Sequence, residues 1–339
     1  MGAEGSTPAT PQTRLEEQIR SQPDELERML GDRPTLDAIH AAAEGLQRCN
    51  RLWLVGTGTS QHAAELGAAM FHEAGRAASW SASMPFVDWA PVLGPRDGVI
   101  VISHTAETAY ALSARAQSFL AGLTVIPIAR EGVRIPDAIP TVSKETSETY
   151  TVSYTTALLA LAMLVRAMGS EAITEDALTR IPDAVRAALA DETPFDVPRP
   201  ERLLVVTGVG AGGVTAREGA LKVREAARAL AEGYDAEYLL HGSAVPLDGR
   251  DRVLAIAPPQ DGEGFLTGVI TAAERESVPV SWIREPYGLP DLLAQIPLTA
   301  RLQVLALRLA IEGGVDPDHV ITGSWADEGL WEIGAPTEP

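Results

Sequence analysis

The sequence predicts an α/β protein built from two tandem, doubly wound parallel-sheet domains. Three observations carry that prediction. Short apolar or β-branched runs alternate with Ala-rich segments of helical period along most of the 339 residues, as parallel βαβ units require. The chain repeats itself at a shift of 152 residues: Leu52-Trp53-Leu54-Val55-Gly56-Thr57-Gly58 aligns with Leu204-Val205-Val206-Thr207-Gly208-Val209-Gly210, and Gly67-Ala68 with Gly219-Ala220 in the same register. The length suits one large or two medium domains, and 45% hydrophobic residues are enough for real cores.

Taken in order, residues 1–12 lack the apolar stretch of a signal peptide and read as a disordered leader. Residues 13–35 form an N-terminal helical segment. Its charged amphipathic pattern over 14–30 is broken at Pro23, which predicts a solvated helical hairpin on the first domain. The first domain spans 36–190, with strands at 52–56, 99–103 and 124–128 and helices over 61–74 and 107–120. The apolar run at 157–168 reads as a buried packing helix, since a membrane span needs ~18 apolar residues. Prolines and acidic residues at 191–200 read as a linker. The second domain spans 201–320, with strands at 203–207, 253–257 and 278–282 and helices over 212–231 and 300–313; residues 321–339 form a C-terminal tail.

The formal charge of −19 and pI near 4.7 argue against nucleic-acid binding, which needs a basic stripe. A small anion is still possible, because backbone N–H groups and hydroxyls can hold phosphate. Cys49 is the sole cysteine, so no intrachain disulfide forms, which fits a cytoplasmic protein. The six histidines show no metal-ligand spacing, and no metal is expected. Gly56 and Gly58 match the start of a dinucleotide fingerprint, but Gln61 stands where its third glycine belongs, so no nucleotide cofactor is expected either.

The chemistry-bearing residues cluster at strand ends. Gly58-Thr59-Ser60 follows a strand and opens a helix, an anion-binding arrangement of small residues, hydroxyls and helix N–H groups. Ser103-His104-Thr105-Ala106-Glu107-Thr108 repeats that arrangement at the next strand end, and a doubly wound sheet brings such ends to one crevice. Ordinary N-capping by Ser and Thr explains the same residues equally well. The chain holds 25 arginines and two lysines, yet Lys222 sits in an acidic helix where Glu218, Lys222 and Glu225 share one face at i, i+4 and i+7. Lys can titrate in a shifted environment and Arg effectively cannot, so this set can move protons; a surface i,i+4 ion pair is the plain alternative. His241, at a turn, suits a proton shuttle. His40, His62, His72 and His319 carry no assigned role.

These motifs resemble the double-SIS (sugar isomerase) family, and most of all the isomerase half of glucosamine-6-phosphate synthase, over nearly the whole chain. The likeness starts at Glu17-Gln18-Ile19-Arg20-Ser21-Gln22-Pro23 and includes the Gly58-Thr59-Ser60 turn, the 103–108 loop, the segment Glu148–Ser153, the helix Glu218–Glu225 and Leu240-His241-Gly242. The resemblance implies a flavodoxin-like SIS fold in each domain. It implies that Gly58, Thr59, Ser60, Ser103, His104, Thr105 and Thr108 bind a sugar phosphate, with Thr151 and Ser153 at the sugar. It further implies that Glu225 shifts a proton between C1 and C2, Lys222 and Glu218 assist, and His241, donated across a homodimer interface, opens the ring.

Three departures shape the expected function. The synthase's glutaminase domain has no counterpart here, so ammonia, if used, is expected from a separate source. Gly323 aligns with the family's tail lysine, which leaves Lys222 as the expected sole amine for the substrate. His104 and Ala106 replace Gln and Gly of the phosphate loop. The expected activity is interconversion of a ketose 6-phosphate with an aldose or 2-amino-aldose 6-phosphate, of isomerase or deaminase type. A fructosamine-6-phosphate deglycase and a non-catalytic sugar-phosphate-binding regulator are the alternatives.

Overall fold

The computed structural model describes residues 13–89, 91–258, 264–284 and 286–336, so the leader expected at 1–12 lies outside them. Helix α1 (Arg14–Gly31) runs unbroken through Pro23. Proline has no N–H for the carbonyl of Ile19; the Gln22 Nε2 amide donates to that carbonyl instead, at 3.0 Å. Gln22 is fully buried, donates also to Gln303 Oε1 and accepts from Thr155 Oγ1. The break expected at Pro23 is thus absent because a side chain supplies the missing donor. Helix α2 (Arg33–Leu46) follows at once, capped by the Asp32 carboxylate, which accepts from Thr35 N at 2.9 Å.

The first sheet is built by β1 (Arg51–Gly56), α3 (Thr59–Glu73), β2 (Ala78–Ala82), α4 (Ser83–Asp88), β3 (Asp97–Ile102), α5 (Ala109–Leu120), β4 (Thr124–Ala129) and β5 (Ile139–Pro140). Its order is β2-β1-β3-β4-β5, all parallel. Chain leaving β1 turns one way and chain leaving β3 the other, so a crevice opens at the carboxyl ends of these two strands. Helices α6 (Val152–Ala167) and α7 (Glu175–Ala190) close this half; α6 is buried along nearly its whole length.

The second half repeats the plan with β6 (Leu204–Gly208), α8 (Ala211–Ala227), β7 (Ala231–Asp235), α9 (Ala236–Tyr238), β8 (Arg252–Ala257), α10 (Phe265–Arg275), β9 (Val280–Arg284) and α11 (Asp291–Gly313). Its order, β7-β6-β8-β9, is again all parallel. The fold is therefore two doubly wound parallel-sheet units. Gly58 and Gly210, 152 residues apart, take the same left-handed turn, φ 55°, ψ −128° and φ 55°, ψ −124°. A Cβ on Gly56 would fall 2.4 Å from the Ser60 carbonyl oxygen, so this approach of turn to helix requires glycine. A short helix, α12 (Glu328–Glu332), lies in the exposed tail.

Two elements bind the halves together. In α1, Leu15 and Ile19 enter the second core and Leu26 and Met29 the first. In α11, Leu293 and Ile296 join the first core and Leu302 and Leu305 the second. Each fully buried side chain of this kind contributes ~1.5–3 kcal/mol. Helix α11 is long and apolar enough to cross a membrane by length and composition, but it lies almost wholly buried between the two cores.

Other differences from expectation have local causes. The α8 helix stops at Ala227, not 231, because Arg228 turns left-handed at φ 47° and releases the chain into β7. Strand β9 begins at Val280 rather than 278, and α11 starts at Asp291 rather than 300. The 191–200 segment, read as a linker, packs on the second half: Asp191 pairs with Arg301 at 2.7 Å and Val197 enters the second core.

Candidate active site

The site forms where α3 of the first half meets α8 of the second. Helix α8 puts Glu218, Lys222 and Glu225 on one face, as the spacing predicts, and buries the first two completely. Lys222 Nζ lies 2.6 Å from Glu225 Oε2 and 3.5 Å from Glu218 Oε1. From α3, His62 Nδ1 donates to Glu218 Oε2 at 2.7 Å and Thr59 Oγ1 to Glu218 Oε1 at 3.2 Å. Beside them Arg217 of α8 pairs with Glu65 of α3 at 2.6 Å. The surface ion pair considered from sequence is excluded by this burial.

The two carboxyls are driven apart by their surroundings. Burial alone would push Glu218 up, but Lys222, then His62 and Thr59, outweigh it and hold the carboxyl below its usual range. Burial pushes Glu225 up, and Lys222 offsets only part of that, so Glu225 titrates above the usual range. Burial would lower Lys222, yet Glu225 and then Glu218 outweigh it and hold the ammonium charged. A fixed anion and a carboxyl displaced toward neutrality around one cation is an acid–base arrangement.

Of the phosphate-site candidates, Thr59, Ser60, His104 and Ser153 line the first crevice, and Gly58, Ser103, Thr105 and Thr108 do not line it. Thr59, Ser60, His104 and Ser153, with Tyr154 and Thr141, surround a cavity of ≈ 20 Å³, room for about one water. Ser103 Oγ donates to Thr108 Oγ1 at 3.4 Å, and Thr105 Oγ1 accepts from Glu107 N at 3.2 Å. Ala106 holds φ 58°, the left-handed turn that glycine would take freely. Gly58 and Thr108 precede α3 and α5, and neither helix start receives a side-chain cap. Capping and anion binding stay compatible here: Ser60 N and Gln61 N of α3 already bond the Thr57 and Gly58 carbonyls, so an anion would meet the Thr59 N–H and the first turn of α5.

The start of α6 differs. Glu145, buried, accepts from Thr151 N and Oγ1, Val152 N and Ser153 N. Thr151 is fully buried with its N–H and hydroxyl both committed to Glu145, so the structure does not bring this candidate to the cavity. His104 Nε2 accepts from Glu145 N at 3.4 Å, while Nδ1 is buried without a partner among the described residues. Burial pushes His104 down; Glu145 opposes this and Arg130 and Lys144 reinforce it. Lys144, the other lysine, is exposed and does not line this cavity.

His241 stands apart. It is exposed, and it lines a groove of ≈ 460 Å³ with Gly210, Asp235, Tyr238 and Phe265, none of which belongs to the acid–base set. Within one chain His241 is not brought to Glu225. Gly323 is exposed at φ 63° in the tail. The tail is tied down by Glu148 Oε2, which accepts from Val320 N and Ile321 N, and by the Gly334 carbonyl, which accepts from Ser113 Oγ.

Sequence reasoning missed His62, Glu145, Tyr154, Arg130 and Lys144. His62 had a legible signal, since Thr59 and His62 at i, i+3 share a face of α3. What it faces lies 156 residues away.

No protein-family model matches the chain. It is 28% identical over 312 residues to a glutamine–fructose-6-phosphate aminotransferase (isomerizing) of Pyrococcus horikoshii, covering 82% of this chain and 51% of that protein. The chain thus spans about half the length of the curated relatives it matches. Among solved structures, tagatose-6-phosphate ketose/aldose isomerase from Escherichia coli superposes with TM-score 0.79 at 21% identity, covering 94% of this chain and all of that one. The C-terminal domain of glucosamine-fructose-6-phosphate aminotransferase from Francisella tularensis superposes with TM-score 0.75 at 20% identity, over 93% of this chain and all of that one. The chain has the fold of sugar isomerase domains, and its sequence resembles the isomerase part of the aminotransferases.

Proposed function

We propose that this chain is a phosphosugar-processing enzyme that interconverts a ketose 6-phosphate with an aldose or 2-amino-aldose 6-phosphate. The observation that carries the reading is the α8 face, where one buried lysine stands between two carboxyls displaced in opposite directions. An ion pair kept only for stability gains little from such asymmetry, whereas proton transfer near neutral pH needs it.

Substrate phosphate would sit on the uncapped starts of α3 and α5, against the hydroxyls of Ser60, Ser103, Thr105 and Thr108. His104 Nδ1, without a partner among the described residues, is a further donor at that end. The start of α6 already holds Glu145, so phosphate is directed away from it and the sugar lies toward Ser153. In the ketose-to-aldose direction Glu225 takes the C1 proton, Lys222 Nζ gives a proton to O2 as charge builds there, Glu225 returns its proton to C2, and Lys222 recovers a proton from O1 as C1 becomes the carbonyl. Glu218 stays ionised and holds Lys222 in place. His241 of a second subunit would open the ring, which makes the active form a homodimer, and a separate source would supply any ammonia.

The test is NMR at C1 and C2 in D₂O with fructose 6-phosphate, fructose 6-phosphate plus ammonia, and glucosamine 6-phosphate. Product or deuterium incorporation with at least one of these, lost in Glu225→Gln, is expected. Binding of all three with neither product nor exchange would instead make the chain a sugar-phosphate-binding protein.

A further inference from the structure

Lys222 has two acidic neighbours but does not share itself equally, lying 2.6 Å from Glu225 and 3.5 Å from Glu218. Glu218 is the more deeply buried of the two, so on burial alone it needs the ammonium more. It keeps only the longer contact to the ammonium, which hydrogen-bonds Glu225, because the other half of the molecule supplies its hydrogen bonds. His62 Nδ1 donates to Glu218 Oε2 at 2.7 Å and Thr59 Oγ1 to Oε1 at 3.2 Å. The short, charge-assisted bond from His62 is the stronger of these two. His62 is itself buried, which holds the ring in that geometry.

We propose that His62 is a positioning residue for the proton-transfer pair: by satisfying Glu218 from the first domain, it leaves Lys222 free to bond Glu225. This rests on the reading of Glu225 as the base. The charged and titratable groups around the cluster are Glu218, Lys222, Arg224 and Glu225 of α8, Arg217 of α8 paired with Glu65 of α3 and with Asp235, Tyr154 of α6, and Tyr150 and Glu145 before α6, the charge of Glu145 reaching Lys222. Among the described residues Arg217 is held by Glu65 and Asp235 and Arg224 by the Ala231 carbonyl, so no other cation replaces the His62 donor, and the buried, unpartnered Tyr154 hydroxyl is the remaining neutral donor that the Glu218 charge acts on. His62 lies one turn beyond Thr59, so the helix that presents the phosphate turn also sets the base.

The test uses the full chain with His62→Phe, which keeps a ring and removes the donor, and His62→Asn, whose amide N–H stands where Nδ1 does. Without the donor, Lys222 moves to Glu218 and Glu225 loses the charge that opposes its burial. The Glu225 carboxyl then rises, and because a base works deprotonated, the acid limb of kcat/KM moves to higher pH. For whichever of fructose 6-phosphate or glucosamine 6-phosphate turns over, His62→Phe should move that limb up by about one pH unit and lower kcat about tenfold, with KM changed less than about twofold. His62→Asn should restore kcat to within about threefold of the unsubstituted chain. Independently of turnover, ¹³C NMR of glutamate-labelled protein follows the Glu225 carboxyl, assigned through Glu225→Gln. Its midpoint should rise in His62→Phe and not in His62→Asn. An unmoved midpoint in a folded His62→Phe protein overturns the proposal, as does an equal rise in both variants; if the Phe variant does not fold, His62→Leu, which also lacks a donor, takes its place. If no sugar phosphate turns over, the enzymatic reading fails while the NMR result still decides the role of His62.

Discussion

Replacing Lys222 with Met tests the energetic core of the site. The Lys222 side chain is 1% exposed, Glu218 0% and Glu225 21%. Removing one partner of a buried ion pair costs ~3–5 kcal/mol, because the remaining charge is left uncompensated. Here the cost has a ceiling, since a carboxyl can take up a proton at about 1.4 kcal/mol for each pH unit it must be carried. Glu225 is the group that does so: it already titrates high, while Glu218 keeps His62 and Thr59. A carboxyl whose folded pKa is raised gives stability that is complete below its unfolded pKa of ~4.3 and is lost as pH rises through the folded value. Urea denaturation of Lys222→Met should therefore show a loss of ~3–4 kcal/mol at pH 7.5 and ~1–2 kcal/mol at pH 5. A loss equal at both pH values, or below ~1 kcal/mol at pH 7.5, would refute the assignment of Glu225 as the displaced carboxyl.

Three further outcomes follow from the same geometry. Glu225→Gln should lower kcat ~10²–10⁴-fold in the NMR turnover assay, the range for loss of a general base, with fructose 6-phosphate binding by calorimetry nearly unchanged. Ala106→Gly relieves a left-handed alanine at φ 58°; that strain is ~1–2 kcal/mol and glycine's unfolded-state entropy returns ~0.5–1, so chemical denaturation should show a gain of up to ~1 kcal/mol. If His241 acts across a dimer, inactive His241→Ala and Glu225→Gln chains should regain activity when refolded together, since a mixed dimer holds one intact site; no recovery from a demonstrated heterodimer counts against it.

Much of the fold was legible. The interior strands β1, β3, β4, β6 and β8 are apolar runs because they are buried on both faces. The edge strands β2 and β7, with sequences ASWSA and AEGYD, carry polar residues since they have a neighbour on only one side, and no apolar run marked them. Pro23 read as a break because its rescue by Gln22 depends on a buried side chain held by Gln303 and Thr155 from distant helices. The site was half legible. Spacing alone placed Glu218, Lys222 and Glu225 on one face, and hydroxyls at strand ends pointed to the crevice.

What the sequence determined by itself is local: helix period, strand runs, glycine turns, and the set of acid, base and hydroxyl side chains that these present. Only the tertiary structure decided how that set is charged. Glu218 and Glu225 are chemically identical and lie four and three residues from the same lysine. They diverge because α3, from the other half of the chain, brings His62 and Thr59 against one and not the other. Burial and the distance to opposite charge set a carboxyl's proton affinity, and both depend on which helices touch, a property no window of sequence contains.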